Sequence, residues 1–287
     1  MPTPHPTAAT TVSAHTASAH TVVVLHAHPD DEAIFTALTI RRLADAGARV
    51  VLVTATDGAA GVPRLRLAPG ETLRSRRLGE LERACELLGV ARLEVLGYTD
   101  SGAHRGPYGP GTLAAAAPAQ VADQVQQIVE QEGASTLVHY DARGIYGHVD
   151  HVQVHRAGSL VVQRTGLTGY QATVDTQALR TGPRHVLHGA AGADLDVGVP
   201  SSRIAVTVQA GTVELLAKMA AMSAHASQIG PHYLDPPAFA AGYGQEWFVR
   251  DSSAPGVLES LPDGARHAPD GRHTADAGLA QPLPVAV

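Results

Sequence analysis

The stretch Thr21-Val22-Val23-Val24-Leu25-His26-Ala27-His28-Pro29-Asp30-Asp31-Glu32 decides the fold, because it joins a buried strand to the start of a helix. Its apolar run is typical of a parallel strand covered on both faces. Open α/β sheets hold their ligands beyond the carboxyl ends of such strands. His28 and Asp31 can bind one divalent cation, which leaves Asp30 between them to act on water. The same acidic residues would also suit the positive end of a helix as caps, so this stretch alone does not distinguish a metal site from helix capping.

A second polar cluster repeats this arrangement far downstream. Gly144-Ile145-Tyr146-Gly147-His148-Val149-Asp150-His151 follows another apolar run and precedes a helical pattern. The two clusters meet if both strands are parallel and lie in one sheet. A hydrolytic zinc site needs three N/O ligands and one open position, and His28, Asp31 and His151 make such a set. The single Cys85 cannot supply the thiolates of a structural zinc site.

Strand and helix patterns alternate along the chain, which predicts an α/β fold: a Rossmann-like, mostly parallel sheet with helices on both faces. Strands are predicted at 21–27, 49–55, 92–97 and 134–140, with further candidates at 204–208 and 246–250. Helices are predicted at 31–46, 71–88, 117–132, 151–164 and 213–227. No Gly-x-Gly-x-x-Gly follows the first strand, which argues against a dinucleotide site.

The composition is that of a globular protein and predicts one domain at 21–250. Residues 1–20 and 251–287 are expected to be poorly ordered tails. The net charge of −6 and a pI near 6.2 argue against a nucleic-acid partner. The sequence has no apolar run long enough for membrane insertion and no signal-peptide pattern, so we expect a cytoplasmic protein. One lysine against 20 arginines is typical of a GC-rich bacterial gene.

Several ordered motifs resemble the LmbE/PIG-L family of zinc-dependent N-acetylglucosamine deacetylases. The two polar clusters match the family's His-Pro-Asp-Asp-Glu and Gly-His-x-Asp-His segments. Supporting matches are Thr54–Gly61, Arg77–Leu81, Leu96–Gly102 and Ala224–Gln228. The resemblance covers residues 21–250, and the agreement of several motifs in order is far more specific than any one of them.

The resemblance implies a role for each matching residue. His28, Asp31 and His151 would bind the metal, and Asp30 would be the general base. His148 would face the developing oxyanion and, as imidazolium, donate to it or to the departing amine, while Asp150 would orient and charge His148. In the same comparison, Tyr146 would add a hydrogen bond near the scissile carbonyl. Arg77 and Asp100 would contact substrate hydroxyls or gate the site.

Other residues of the motifs keep competing interpretations. His155 lies one helical turn beyond His151 and could complete a metal clip, but no Glu follows His151, so a place behind the ligands or on the helix surface is favoured. His225 and Gln228 are interpreted as helix packing and left off the site. Two residues depart from the family pattern: Val149 replaces a common proline, and Ala59 stands where Glu is common. Both departures are expected to affect substrate choice more than hydrolysis.

The leading hypothesis is a zinc-dependent amidohydrolase that removes an acetyl or related acyl group from an amino sugar or its conjugate. Fe²⁺ is an alternative metal, and a homo-oligomer is compatible with the resemblance. Enzymes acting on sugar–thiol conjugates or secondary metabolites belong to the same family. A non-catalytic sugar-binding protein is the alternative from another class. A metal-dependent phosphoesterase would need two metals about 4 Å apart, but only one full ligand set is visible.

Overall fold

The computed structural model describes residues 20–102, 106–182, 185–187, 197–252, 254–261 and 264–265. Its strands form one eight-stranded sheet of order β3-β2-β1-β4-β5-β7-β6-β8. The strands are β1 Thr21–His26, β2 Arg49–Thr56, β3 Arg92–Tyr98, β4 Thr136–Tyr140, β5 Thr168–Thr173, β6 Val206–Gln209, β7 Gln245–Arg250 and β8 Gly264–Ala265. The first five are parallel, and the last three continue the sheet with antiparallel pairings. The predicted α/β class and mostly parallel sheet are confirmed.

The helices of the described residues connect these strands. They are α1 Ala37–Asp45, α2 Leu73–Leu88, α3 Pro118–Gln131, α4 Gly144–Gly147, α5 Val149–Thr165, α6 Thr176–Thr181, α7 Thr212–Ala224, α8 Pro236–Tyr243 and α9 Val257–Ser260. A π-helical turn, Glu32–Thr36, leads into α1, and short 3₁₀ turns lie at Leu113–Ala115, Ser201–Arg203 and Pro231–Tyr233. None of the described helices is both long and apolar enough to cross a bilayer.

Strand β1 is the middle one of the five parallel strands and the place where the strand order reverses. It pairs in parallel with β2 on one side and β4 on the other. Val22, Val23, Val24 and Leu25 have no exposed surface, since helices cover both faces of the strand. A reversal point between neighbouring parallel strands opens a crevice at their carboxyl ends. The two predicted polar clusters follow β1 and β4, so the topology brings them together.

The helices pack in two layers, as right-handed crossovers on either side of β1 require. Helices α1, α2 and α7 contact one another, whereas α3 packs against α5. Helix α2 begins with a reciprocal Thr72–Ser75 capping box and ends at Gly89, whose φ of 80° suits glycine. This start fixes the helix turn from which Arg77 faces the carboxyl end of β1.

The structure differs from the predicted elements in several places. The helix predicted at 31–46 begins with the π-helical turn, because the chain must first turn away from β1. Strand β5 was not predicted, since its polar-containing sequence TGYQAT lacks a continuous apolar run. The chain also remains ordered past Arg250, where a poorly ordered tail is predicted: Leu258 in α9 is fully buried, and β8 pairs with β6. The predicted N-terminal tail, apart from His20, and residues 266–287 lie outside the described residues.

Candidate metal centre and active site

A cavity of about 340 Å³ opens beyond the carboxyl ends of β1 and β4. This volume is within the range of small-molecule pockets. Seven of the nine residues predicted for the site line it: His28, Asp30, Asp31, Arg77, Asp100, Tyr146 and His148. The other two, Asp150 and His151, lie directly behind the wall with no exposed surface. The structure therefore brings all nine into one neighbourhood.

The turn after β1 directs Asp31 back towards His28. The Asp31 carboxylate accepts the backbone N–H of His28 at 2.8 Å, and its own N–H donates to the His28 carbonyl at 3.3 Å. Asp31 precedes the π-helical turn but makes no side-chain capping bond to it. The helix-cap interpretation of this carboxylate is therefore not supported, because it faces the imidazoles instead.

The loop after β4 presents His148 and His151 through a strained backbone. Asp141 accepts the N–H groups of Arg143 and Ile145, each at 2.9 Å, which folds the chain back at once. Ile145 has φ of 65°, an unusual value for a β-branched residue. Gly144 also has positive φ, and a Cβ there would lie 2.5 Å from Cβ of His151. This position thus requires glycine if α5 is to bring its first turn so close.

Three ligand atoms form a nearly equilateral triangle at the base of the cavity. His28 Nδ1 lies 3.4 Å from Asp31 Oδ2, His151 Nε2 lies 3.3 Å from the same oxygen, and the two nitrogens are 3.3 Å apart. In a tetrahedral zinc site with bonds of about 2.0–2.1 Å, neighbouring ligand atoms are about 3.3–3.4 Å apart. The donor set and its spacing therefore fit one divalent cation.

The other nitrogen of His28 faces a buried carboxylate. Its Nε2 lies 3.2 Å from Asp150 Oδ2, and Asp150 also accepts the Ser101 N–H at 2.9 Å and the Ser101 hydroxyl at 2.5 Å. Metal-binding histidines commonly donate their second N–H to a carboxylate in this way. Asp150 thus contacts His28, whereas its carboxylate has no described hydrogen bond to His148, the residue that the resemblance assigns to it.

A second grouping of potential ligands lies on this other side of His28. The potential ligand atoms of this grouping all lie within 4.8 Å of one another and belong to His28, Asp100, His148 and Asp150. The same holds for a smaller set, His28, His148 and His151. We favour the triangle with Asp31, because the bonds from Ser101 and His28 already satisfy Asp150. Burial alone would lower the pKa of His28, but Asp150, Asp31 and Asp100 raise it to about 10. The surrounding carboxylates therefore favour a positive charge at this place.

Asp30 sits beside the triangle in a backbone conformation that non-glycine residues rarely adopt. Its φ is 107°, which costs on the order of 1–3 kcal/mol and is typical of functional sites. Its Oδ1 lies 3.1 Å from Nη2 of Arg77. Burial and the neighbouring Asp31 raise the pKa of Asp30 to about 6, although Arg77 opposes the shift. A base with such a pKa is ionised at neutral pH and still accepts a proton readily.

His148 and Tyr146 form the wall of the cavity opposite Asp30. His148 Nδ1 accepts the backbone N–H of Asp150 at 3.2 Å, so a neutral ring carries its proton on Nε2. Burial, with the neighbouring His28 and His151, lowers the pKa of His148 to about 4. This favours a neutral donor over the imidazolium expected from the resemblance. The Tyr146 ring lies edge-on to His151 with centroids 4.9 Å apart.

Arg77 and Asp100 line the cavity but make different contacts. Arg77 is buried and donates to the carbonyls of Gly58, at 2.8 Å, and Pro29, besides its contact with Asp30. It therefore braces the base and the loops around it. Asp100 accepts the Gly102 N–H at 2.8 Å and lies 3.6 Å from His28 Nε2.

Sequence reasoning missed Tyr140, which lies at the end of β4 beneath the ligands. Its ring stacks on His151 with centroids 4.3 Å apart and an interplanar angle of 11°. Its hydroxyl accepts the Ala27 N–H at 3.1 Å and hydrogen-bonds His26 Nδ1 at 2.8 Å. The sequence feature that could have identified Tyr140 is its position at the carboxyl end of a predicted strand, where a ligand site was expected. His155 instead donates from Nδ1 to the Tyr140 carbonyl at 2.9 Å, behind the ligands.

The chain is similar in sequence and in fold to proteins of known family. The family model described as PIG-L: GlcNAc-PI de-N-acetylase matches residues 23–162. A relative from Kineococcus radiotolerans, named 1D-myo-inositol 2-acetamido-2-deoxy-alpha-D-glucopyranoside deacetylase, is 35% identical over 248 residues, covering 72% of this chain and 68% of its own. A relative of the same name from Nocardiopsis dassonvillei is 32% identical and covers 72% of this chain and 84% of its own.

Similarity in fold agrees with these sequence matches. The crystal structure of the antimicrobial reagent A40926 pseudoaglycone deacetylase has a TM-score of 0.56 and 17% identity, covering 81% of this chain and 98% of that one. At this identity the likeness concerns the fold alone. The relatives named above are deacetylases that hydrolyse an N-acetyl amide bond on a sugar. The chain belongs to the PIG-L family, as its ordered motifs predicted.

Proposed function

We propose that the protein is a metal-dependent N-deacetylase that hydrolyses the acetamide of a small N-acetylglucosaminide. The observation that carries this proposal is the triangle of His28, Asp31 and His151 beside the strained Asp30, in one cavity. Membership of a family whose named relatives are sugar deacetylases supports the reaction class. The triangle alone would suit many hydrolases, because the fold does not determine the substrate.

Zinc is the proposed metal, held by His28, Asp31 and His151. Two imidazoles and one carboxylate with an open fourth position are a donor set that catalytic zinc uses. Fe²⁺ accepts similar N/O ligands and remains the alternative. The bound ion would supply Lewis acidity, which activates water and polarises the amide carbonyl.

The protein's own groups would move the protons. Asp30 would accept a proton from the attacking water, for which its ionised state at neutral pH suits it. Neutral His148 would donate Nε2–H to the developing oxyanion, and the Tyr146 hydroxyl is a second donor on the same wall. The proton that Asp30 has taken can then pass to the departing amine, so that water is split between acetate and amine without net change in the enzyme.

The cavity is lined by polar and by apolar side chains, which suits the two parts of such a substrate. Asp100 offers a carboxylate to sugar hydroxyls, while Ile34, Phe35 and Leu187 offer apolar surface to an acetyl methyl group. Contact of Arg77 with sugar hydroxyls stays a prediction, since its Nη1 and Nη2 already bind Gly58, Pro29 and Asp30. The inositol glycoside named for the relatives is the first substrate to test. A cytoplasmic location and self-association also remain predictions.

The test combines metal analysis with an assay of acetate release. Purified protein is expected to carry about one metal ion per chain and to release acetate from an N-acetylglucosaminide. Asp30→Asn should keep the metal and lose turnover by a factor of about 10³ or more, in line with general-base contributions of 10²–10⁴. Normal turnover by this variant would refute the assignment of Asp30, and unchanged substrates across a panel of N-acetylated sugars would refute the function.

A further inference from the structure

The segment Ala224–Gln228 has no role in the mechanism above, yet its histidine reaches the active-site turn. Helix α7 ends at Ala224, and His225 follows it directly. The His225 ring is fully buried, and its Nε2 lies 2.5 Å from Oε1 of Glu32, 193 residues earlier in the chain. A buried contact across such a distance in sequence is made by the tertiary fold and not by the helix itself.

Glu32 connects His225 to Asp30. It has no exposed surface, and its second oxygen, Oε2, accepts the backbone N–H of Asp30 at 3.0 Å. A buried carboxylate needs donors for both oxygens, because leaving one unpaired is costly. His225 supplies the donor for one oxygen and Asp30 for the other. Removing His225 therefore frees Glu32 to rotate away from Asp30.

The bond from Glu32 acts on the backbone angle that is strained. The direction of the Asp30 N–H depends on its φ, and at φ of 107° this N–H points at Glu32. The Asp30 carbonyl is fixed separately, since it accepts the N–H groups of Ala33 and Ile34, each at 3.1 Å. If Glu32 releases the N–H, the peptide between Pro29 and Asp30 loses one of the bonds that hold it, the other being the bond from Arg77 to the Pro29 carbonyl. The turn that places the Asp30 carboxylate beside the proposed metal ligands can then relax.

We propose that His225 is a positioning residue for the reaction: through Glu32 it holds the backbone of Asp30 in the conformation that directs its carboxylate into the cavity. This inference rests on the proposed function, in which Asp30 is the base. It assigns a role to a motif residue that the sequence analysis interpreted as helix packing. Arg77 holds the carboxylate end of Asp30, so the base is braced at both ends.

The test uses two amide variants that differ by one methylene. The Gln amide nitrogen can occupy the place of His225 Nε2, whereas that of Asn stands near Nδ1 and does not reach Glu32. His225→Asn is expected to lower kcat about 10²-fold, the cost of misplacing a catalytic group by about 1 Å, with KM and metal content unchanged. His225→Gln should stay within about tenfold of the native kcat. If both variants lose activity equally, the proposal is overturned.

A neighbouring residue provides a matched control. Ser227 lies two positions further on, is equally buried and also binds a carboxylate, donating its N–H and hydroxyl to Glu80 at 3.0 and 2.6 Å. Ser227→Ala should reduce thermal stability as His225→Asn does but leave kcat near native. A loss of kcat like that of His225→Asn would show that any disturbance of this segment has the same effect, which overturns the proposal.

A double variant and a crystal structure separate this inference from the proposed function. In an Asp30→Asn background, His225→Asn should cause no further loss of kcat, because it acts through Asp30; additive losses overturn the proposal. The crystal structure of His225→Asn should show φ of Asp30 changed, and an unchanged φ overturns it even if no substrate is turned over. If His225→Asn does not fold, the double-variant kinetics and the crystal structure are measured with His225→Leu instead. Absence of turnover in the native enzyme, by contrast, refutes only the proposed function.

Discussion

Replacing Asp150 by asparagine is expected to weaken metal binding about tenfold, although Asp150 does not touch the metal position. The carboxylate is fully buried and lies 3.2 Å from His28 Nε2, on the far side of the ring from the ligand triangle. In this position it orients the imidazole and makes its metal-binding nitrogen more basic. Loss of the negative charge should therefore be felt in affinity for the metal.

The magnitude follows from the hydrogen bonds of Asp150. An asparagine oxygen at the Oδ2 position can still accept from His28 and from the Ser101 N–H, and its NH₂ group can donate to the Ser101 hydroxyl. The contacts are kept, with the direction of the Ser101 hydroxyl bond reversed, and the main change is the loss of the charge. Replacing a carboxylate that hydrogen-bonds a metal-binding histidine lowers metal affinity 10- to 100-fold. For asparagine we expect a loss at the low end of this range, about tenfold, which is about 1.4 kcal/mol of binding free energy. Asp150→Ala removes the acceptor of three donors, His28 Nε2–H and the N–H and hydroxyl of Ser101, so its loss of metal affinity should be near 100-fold.

The assay is competition for zinc with a chelator of known affinity, at fixed pH, alongside kcat measured at saturating metal. For Asp150→Asn, we expect the dissociation constant to rise while kcat changes less. The role that the resemblance assigns, through His148, predicts the reverse: native metal affinity and a reduced kcat. It also predicts no further loss of kcat when Asp150→Asn is added to His148→Ala. Native metal affinity with a reduced kcat in Asp150→Asn, together with no further loss of kcat in the double variant, would refute the assignment of Asp150 to His28.

Three further predictions concern stability. Gly158→Ala should destabilise the fold by about 1–3 kcal/mol, because the added Cβ would lie 2.5 Å from the buried ring of His139; chemical denaturation measures this, and an unchanged midpoint would contradict it. Lys218→Met should cost about 3–5 kcal/mol by leaving buried Glu246 without its 2.8 Å partner, while kcat of the folded protein stays native. Burial lowers the pKa of His26 to about 4. Between pH 6.5 and 4 the unfolded chain therefore binds a proton that the folded protein does not, so the free energy of unfolding should fall as the pH drops through this window. His26→Gln should flatten this pH dependence, measured as the melting temperature.

Much of the fold could be predicted because buried parallel strands have a simple signature. Uninterrupted apolar runs marked β1, β2 and β4, and polar residues after β1 and β4 marked the edge where a site forms. The antiparallel half was harder to predict. Strand β5 mixes polar and apolar residues without a regular period over only six positions, and it pairs with β4 and β7. Such pairing is a tertiary property and leaves a weak local pattern.

The candidate site was predicted to the extent that its residues follow strands directly. His28 and Asp31 are close in sequence, and a three-residue spacing already suggests one ion. Tyr140 was missed because an aromatic residue at a strand end is ordinary core in sequence terms, and only stacking on His151 shows its place. The roles of the catalytic and substrate-contacting residues stay predictions until variants are measured.

The chemistry of the site could be predicted from the sequence, because the residue types and their order in the motifs are properties of the covalent chain. Which group each side chain faces depends on the tertiary fold. The partner of Asp150 is His28 across 122 residues, and that of Glu32 is His225 across 193. Such pairings depend on where β1, β4 and α7 end in space, and local spacing in the chain carries no record of that.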